Sequence, residues 1–337
     1  MTELTNSPRI LVIILNYRTP QMTLRAAQAA LADMEGMNAE LVIVDNASGD
    51  GSAGILTREI SERGWDQDNR VRLILSDTNG GFGAGNNIGF AAGMSDGSAP
   101  DYFYLLNSDA FPDKGCLPRL LQHLRDTPKA GFAGSHVRGE DNLDHTTAFR
   151  FPSIAGEFEG AARFGPITRL LRRSVVAPDL PTETARVDWV AGASVLIRGK
   201  MLEEIGHFDE TFFLYFEETD LCKRGANAGW ECWYLPHARV VHIGSVSTGM
   251  KTWERIPAYW YASRRHYFVK NHGRLYAVAA FLAKLAGGAI HTTRCALTGR
   301  PRQDPRGFYR DLMRFGLGLS LERPQQLSRR PVSEEKS

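Results

Sequence analysis

The chain of 337 residues has little that would place it inside or across a membrane. Its most apolar C-terminal stretch, residues 276–290, is short and is interrupted by Lys284, so we expect no bilayer-spanning helix. The first ten residues, MTELTNSPRI, have neither the basic start nor the small-residue cleavage site of a signal peptide. These absences predict a cytoplasmic, globular protein.

Cysteine is scarce as well. The four cysteines, at positions 116, 222, 232 and 295, lie far apart and form no CxxC pair. This spacing argues against a disulfide framework or a cysteine zinc site and predicts reduced thiols.

The small net charge of +2 conceals an uneven distribution. Residues 251–337 contain 17 Lys and Arg against 6 Asp and Glu, whereas the first 250 residues contain 23 against 32. The asymmetry predicts that the C-terminal part faces an anionic surface, such as a membrane. We expect no nucleic-acid partner.

Four short apolar runs predict buried strands, at residues 10–15, 41–44, 71–75 and 102–106. Residues 23–34 and 87–94 read as helices between them. Strands that alternate with helices predict an α/β fold with a mostly parallel sheet covered on both faces. In such a sheet, ligands bind at the carboxyl ends of the strands.

The remaining chain divides into less regular parts. Residues 139–186 predict a loop-rich insertion with a short basic helix around ITRLLRRS, and residues 188–197 and 239–243 predict further strands. Residues 251–327 predict a basic helical extension, and residues 328–337 a disordered tail. Two interpretations of the extension stay open: a helix that lies on a membrane, or a helical cap on the main domain.

Polar residues follow the predicted strand ends: Asn16, Tyr17, Asp45, Asn46, Asn107, Ser108 and Asp109. Asp45 could hold the N3–H of a pyrimidine base, or it could cap a turn in VDNASGDGS. Asp109 projects from the same edge and suits Mg²⁺ or Mn²⁺, which bind through one or two carboxylates plus substrate phosphates. An ordinary strand-end turn is the alternative for Asp109.

A glycine-rich segment, NGGFGAGNNIG at 79–89, follows the third predicted strand, but its spacing fails the GxGxxG pattern. Glycines still let the backbone approach a ligand closely, and a structural turn is the alternative. The predicted donor-binding residues here are Asn79, Gly81, Phe82 and Asn86.

The segment FFLYFEETDLCKRG at 212–225 predicts a helix that starts near Phe216. At that start, Glu218 shares a face with Leu221 and points inward, where burial would raise its pKa. Glu217 and Asp220 are expected to be ion-paired surface acids. His242, which ends an apolar strand, is either a core histidine or a metal ligand.

Seven motifs, taken in order, resemble family 2 glycosyltransferases, especially the rhamnosyltransferase-like branch that builds bacterial surface polysaccharides. They are VIILNY (12–17), VDNASGDGS (44–52), NGGFGAGNN (79–87), LLNSDA (105–110), WVAGASVLIR (189–198), GHFDETFFLYFEETDLCKR (206–224) and VVHIGSVST (240–248).

The resemblance implies a GT-A fold over residues 1–250, a divalent metal and an inverting mechanism. It implies that Asp45 binds the nucleotide base, that Asp109 and His242 bind Mg²⁺ or Mn²⁺, and that Glu218 is the catalytic base. This chain departs from the family at Asn107, where an aspartate is usual, and at Glu218, one methylene longer than the usual aspartate. Trp189 and Gly192 are expected to line the donor-sugar or acceptor pocket.

The implied partners are a nucleotide-sugar donor, either dTDP-rhamnose or a UDP-sugar, and a saccharide or polyprenyl-diphosphate-linked acceptor. The implied location is the cytoplasm or the cytoplasmic face of the inner membrane. Two other functions compete: a noncatalytic glycan- or nucleotide-binding module at a membrane surface, and a nucleotidyltransferase. A nucleotidyltransferase usually has a glycine-rich, lysine-bearing loop near the first strand. This sequence lacks it, since LNYRTP contains no glycine.

Overall fold

A computed structural model of the chain describes residues 7–244, 254–302 and 304–316. The strands are β1 (Ile10–Asn16), β2 (Ala39–Asp45), β3 (Val71–Leu75), β4 (Tyr102–Asn107), β5 (Ala110–Pro112), β6 (Ala130–Arg138), β7 (Asp144–His145), β8 (Ala148–Phe149), β9 (Ala185–Val187), β10 (Trp189–Val190), β11 (Ser194–Arg198) and β12 (Glu231–His242). Ten of them form one sheet in the order β3-β2-β1-β4-β11-β6-β12-β5, with β7 beside β6 and β9 beside β12.

The sheet is mixed and mostly parallel, as predicted. Strands β3, β2, β1 and β4 are parallel to one another, and β6 is parallel to β12. Because β11 is antiparallel to both β4 and β6, these six strands all run in one direction. The four strands predicted first are confirmed with ends that shift by two residues at most.

The helices are α1 (Pro20–Asp33), α2 (Ser52–Glu62), α3 (Phe82–Ala91), α4 (Cys116–Asp126), α5 (Ile154–Ala162), α6 (Gly165–Leu170), α7 (Gly199–Ile205), α8 (Glu217–Asn227), α9 (Ala258–His272), α10 (Arg274–Thr298) and α11 (Phe308–Gly316). The apolar alternation of the strands supplies two cores. One lies under α1 and α4, and the other lies under α3, α7 and α8.

Residues 188–197 form two strands rather than the single predicted one. Strand β10 pairs with β8 in a separate two-stranded sheet, whereas β11 enters the main sheet. Between them, Ala191 N donates to Thr147 O, and Asn107 N donates to Ala193 O. These long-range bonds take the backbone out of the strand and place Gly192 at the bend.

The predicted insertion, residues 139–186, is more regular than expected, since it contains β7, β8, α5 and α6. Helix α5 packs against α10, and the carboxylate of Glu157 bonds to side chains of both α9 and α10. It accepts from Arg264 Nη2 of α9 at 2.7 Å and lies 3.0 Å from Lys284 Nζ of α10. The insertion and the C-terminal helices are therefore packed together.

Helix α10 is longer than its apolar stretch suggested. It has 25 residues and, by length and composition alone, could cross a membrane, although a core helix of a soluble protein passes the same test. The predicted tail, residues 328–337, and part of the predicted extension lie outside the described residues.

Candidate active site

Three polar residues end neighbouring strands at one edge of the sheet. Asn16 of β1 pairs in register with Asp45 of β2, and Leu15 pairs with Asn107 of β4. Asp109 follows two residues after Asn107. The strand register therefore places Asp45 and Asn107 at one edge of the sheet, with Asp109 just beyond the end of β4.

Asp45 lies in a hydrogen-bond network and is only 4% exposed. Asn16 Nδ2 and Ser48 Oγ both donate to Asp45 Oδ1 at 2.6 Å, and Ser48 N donates to Oδ2 at 3.3 Å. Thr23 Oγ1 donates to Asn16 Oδ1 at 2.7 Å, which fixes the amide orientation. The turn-capping role is present, and it holds the carboxylate in one position at the sheet edge.

Asp109 and His242 meet although they are far apart in sequence. His242 Nε2 lies 3.0 Å from Asp109 Oδ1, and Asn107 Nδ2 lies 3.4 Å from the same ring nitrogen. Strand β5 brings them together, because Ala110 pairs with His242. The neighbouring Ser108 Oγ lies 3.2 Å from Thr19 Oγ1.

This donor set fits a divalent cation that substrate oxygens complete. One carboxylate and one imidazole converge, and Mg²⁺ or Mn²⁺ commonly bind through few protein ligands plus phosphates. Within the described ranges, no three His, Cys, Asp or Glu side chains cluster closely enough to hold a metal by themselves. The side chains that could hold such a cation here are those of Asp109 and His242.

The glycine-rich segment is hydrogen-bonded to Asn46, after β2, and to Phe213, just before α8. Asn46 Nδ2 donates to Asn79 Oδ1 at 3.0 Å and to Gly81 O at 3.1 Å, and Phe82 N donates to Phe213 O at 3.0 Å. Gly81 has φ 91°, and a Cβ there would overlap Phe213 O. Only glycine allows this contact.

Two predicted donor-binding residues make internal contacts. Asn86 is 2% exposed, and its Nδ2 donates to Phe82 O at 2.9 Å inside α3. Trp189 stacks on Phe149 with ring centroids 4.1 Å apart, and its Nε1 donates to Arg150 O. Gly192, in contrast, lies against Phe82 and Glu218.

The acidic helix α8 begins after a strained turn. Tyr215 and Phe216 both have φ 71°, a left-handed conformation that is uncommon for aromatic residues. This turn starts α8 at Glu217, as predicted to within one residue.

Helix α9 holds that turn in place from the C-terminal side. Ser263 Oγ donates to Leu214 O at 3.1 Å, and Phe216 packs against Trp260 and Tyr267. The C-terminal helices therefore support the acidic residues directly.

Glu218 is partly buried and faces the site. Its Oε1 accepts from Gly192 N at 3.4 Å, and its Oε2 has no hydrogen-bond partner among the described residues. Burial raises the pKa of this carboxyl, as expected from the sequence. A carboxylate with an unused oxygen and a raised pKa suits proton acceptance.

The prediction that Glu217 and Asp220 are surface acids was wrong, since they are 2% and 0% exposed. Helix α9 covers Asp220, and Glu217 lies near Gly83 of α3, which helical periodicity within α8 could not reveal. Asp220 is ion-paired as predicted, with Arg224 at 3.0 Å and Lys270 at 2.7 Å. Burial, followed by the charge of Glu218, raises the pKa of Glu217 well above its usual range.

Sequence reasoning missed two residues at this site. Ser48 orders Asp45, and its only signal was its place in the turn VDNASGDGS. His145, whose ring centroid lies 6.4 Å from that of His242, comes from the insertion, where no local pattern indicated it.

Comparison with known proteins connects this site to sugar transfer. Residues 11–177 match the model of Glycosyl transferase family 2. The N-acetylglucosaminyl-diphospho-decaprenol L-rhamnosyltransferase of Mycobacterium tuberculosis is 29% identical over 222 residues, which cover 62% of this chain and 68% of the relative. Rhamnosyltransferase WbbL of Escherichia coli is 26% identical over 166 residues, covering 48% of this chain and 60% of WbbL.

A solved structure shows the same architecture. The mannosyltransferase PcManGT from Pyrobaculum calidifontis, determined in complex with GDP-Man and Mn²⁺, superposes with a TM-score of 0.56. The match covers 96% of this chain and 83% of that one at 16% identity. The predicted GT-A fold with a C-terminal helical region is thereby confirmed.

Proposed function

We propose that the chain, which matches the model of Glycosyl transferase family 2 over residues 11–177, transfers a sugar from a nucleotide-diphosphate donor to a saccharide acceptor with inversion. One observation carries the proposal. Glu218, whose Oε2 has no hydrogen-bond partner in the described part of the chain, lies against Gly192. Gly192 belongs to the bend that bonds Asn107, two residues before Asp109.

The donor is proposed to bind along the sheet edge. Asp45, fixed by Asn16 and Ser48, would accept the N3–H of a thymine or uracil base. The two relatives described above are named rhamnosyltransferases, which favours dTDP-rhamnose over a UDP-sugar. The acceptor is proposed to be a polyprenyl-diphosphate-linked saccharide, because one relative is named for a decaprenol-diphosphate substrate.

Asp109 and His242 are proposed to hold Mg²⁺ or Mn²⁺, and Asn107 to contact the donor. The cation would stabilise the negative charge that develops on the departing diphosphate. The convergence of the two side chains within 3.0 Å supports this assignment. The Mn²⁺ in the PcManGT complex is consistent with it.

Glu218 is proposed to remove the proton of the acceptor hydroxyl as that oxygen attacks the anomeric carbon. The attack comes from the face opposite the diphosphate, which inverts the anomeric centre. Gly192 N, by donating to Oε1, orients the carboxylate and leaves Oε2 for the hydroxyl.

The substitution Glu218→Gln tests the base. We expect transfer to fall at least about 100-fold while donor binding is retained, because general-base catalysis contributes roughly that factor or more. Product formation would be measured with dTDP-rhamnose and UDP-sugars, Mn²⁺ and a polyprenyl-diphosphate-linked acceptor. Near-wild-type turnover would remove Glu218 from this role, and no product with any donor would favour a noncatalytic binding module.

The substitution Asp109→Asn tests the metal site. It keeps the side-chain size but removes the charge, so we expect Mn²⁺-dependent donor binding to weaken by about tenfold or more. Calorimetric titration of nucleoside diphosphate with and without Mn²⁺ measures this. Unchanged affinity in Mn²⁺ would contradict the assignment, and Asp113→Asn, directly after β5, is the matched control.

A further inference from the structure

Helix α10 presents an apolar face to the outside along its whole length. Between positions 275 and 297, exposed residues recur every three or four positions, and one more, Leu297, follows Ala296 directly. None of these exposed residues is charged. We call this set the outer stripe: Leu275, Val278, Leu282, Ala286, Ala289, Thr293, Ala296 and Leu297. Leu275 is 88% exposed and Leu297 is 81% exposed. The stripe extends over about 33 Å at the usual helical rise.

Two charged residues within the same helix, Lys284 and Arg294, point the other way. Lys284 lies 3.0 Å from Glu157 of α5, and Arg294 Nη1 donates to Arg163 O at 2.9 Å. A helix on the surface of a soluble domain normally turns its apolar side inward and its charges outward. Helix α10 does the reverse at these positions, so its outer stripe requires an apolar partner.

Packing fixes α10 along the protein surface and argues against a spanning helix. At Gly287 an added Cβ would overlap Phe158 O of α5, and at Gly288 it would overlap the ring of Tyr309. The carboxylate of Glu157 is 9% exposed and bonds both Arg264 and Lys284. Crossing a bilayer would break this buried pairing and leave charged groups unpaired, which is costly.

The surroundings of the stripe are basic. Exposed arginines lie at both of its ends, Arg274 at the start and Arg300 and Arg302 just beyond the last turn. Residues 254–316 contain 12 Lys and Arg against 3 Asp and Glu. Two of those acids are already paired, Asp304 with Arg163 and Asp311 with Arg255.

We propose that the outer stripe is a docking surface for an anionic lipid bilayer. In this arrangement α10 lies in the plane of the interface, its leucines enter the boundary of the acyl chains, and the flanking arginines contact lipid headgroups. The combination of an uncharged stripe and basic ends favours this partner over a second protein chain. The proposal rests on α10 and its contacts and does not depend on which sugar is transferred.

The double substitution Leu275→Glu and Leu282→Glu tests the docking surface. Both side chains are exposed, so the fold should persist, which circular dichroism and thermal unfolding would check. We expect binding to mixed phosphatidylcholine–phosphatidylglycerol vesicles to weaken by at least about tenfold. The free energy of burying one leucine side chain already exceeds that of a tenfold change in affinity. Vesicle cosedimentation measures it.

The control is Leu143→Glu, which places one glutamate at an exposed leucine outside α10. It should bind vesicles as the wild type does. Vesicles of phosphatidylcholine alone should bind the wild type more weakly, because they offer no anionic headgroups. Equal binding by the double variant and the wild type would overturn the proposal, as would a wild-type protein that binds neither vesicle.

Sedimentation velocity separates the lipid surface from self-association. If the wild type is a dimer that the double variant converts to a monomer, the stripe is an interface between copies of this chain and the lipid proposal is wrong. Transfer to a water-soluble acceptor should be equal in both proteins, which keeps this test separate from that of the catalytic assignment.

Discussion

At the residue scale, the adjacent glutamates of α8 differ in what surrounds them. Glu218 receives a hydrogen bond from Gly192 N, whereas Glu217 is 2% exposed and lies near Gly83, with its Oε2 unpartnered among the described residues. Two carboxylates this close cannot both ionise easily. The arrangement favours Glu217 as the protonated member and leaves the charge on Glu218, where the proposed reaction requires it.

The pH dependence of stability tests the state of Glu217. Its pKa is raised on folding, so stability is fully present below the unfolded pKa and declines as pH rises towards the folded pKa. Glu217→Gln removes this titration, so we expect the variant to gain about 1 kcal/mol or more over wild type between about pH 4 and about pH 7.

Urea unfolding at both pH values measures this gain. The matched control is Glu35→Gln, which changes an exposed glutamate at the end of α1 and should shift stability little at either pH. A gain for Glu217→Gln that is equal at both pH values would show that Glu217 does not titrate abnormally.

At the scale of elements, α9 supports the site through several contacts. Lys270 lies 2.8 Å from Asp209 and 2.7 Å from Asp220, so one ammonium group joins the loop before α8 to α8 itself. His266 Nε2 lies 2.9 Å from Asp209, and these partners hold the pKa of that carboxyl well below its usual range. The left-handed turn at residues 215–216 is stable because this helix packs over it.

The same element shows the limit of reading a helix by its own period. Helical spacing correctly placed the start of α8 and the inward face of Glu218. It could not place Glu217 and Asp220, because Glu217 lies near Gly83 of α3 and Asp220 bonds Lys270 of α9, and both partners are far away in the sequence. Helix α10 shows the same limit: the sequence left a membrane-surface helix and a helical cap both open, and the inward direction of Lys284 depends on Glu157 of α5.

At the scale of the whole molecule, the catalytic sheet and the C-terminal helices are one packed structure. Helix α9 covers Asp220, and α10 packs against α5 of the insertion. The predicted domain boundary at residue 250 marks where the sequence becomes basic. The hydrogen bonds and ion pairs of α9 and α10, however, join residues on both sides of that boundary. This arrangement would place the proposed membrane-docking surface and the proposed catalytic site on the same packed structure.

A truncation after residue 253 tests this unity. We expect loss of activity and of cooperative unfolding, because it exposes Phe212, removes Lys270 from Asp220 and leaves α5 without α10. Transfer assays and thermal unfolding measure it. Truncation after residue 316 is the control and keeps every contact named here. A stable, active protein ending at residue 253 would show that α9 does not support the site.

The sequence by itself determined the α/β alternation, the strand ends that carry Asn16, Asp45 and Asn107, and the motifs of a sugar transferase. These features are local, since buried strands and turns follow from the period of apolar residues and from glycine. Only the tertiary structure decided that His242 meets Asp109, that Glu217 is buried and that α10 turns Lys284 and Arg294 inward. Each of these depends on contacts between residues far apart in the chain, which no local pattern records.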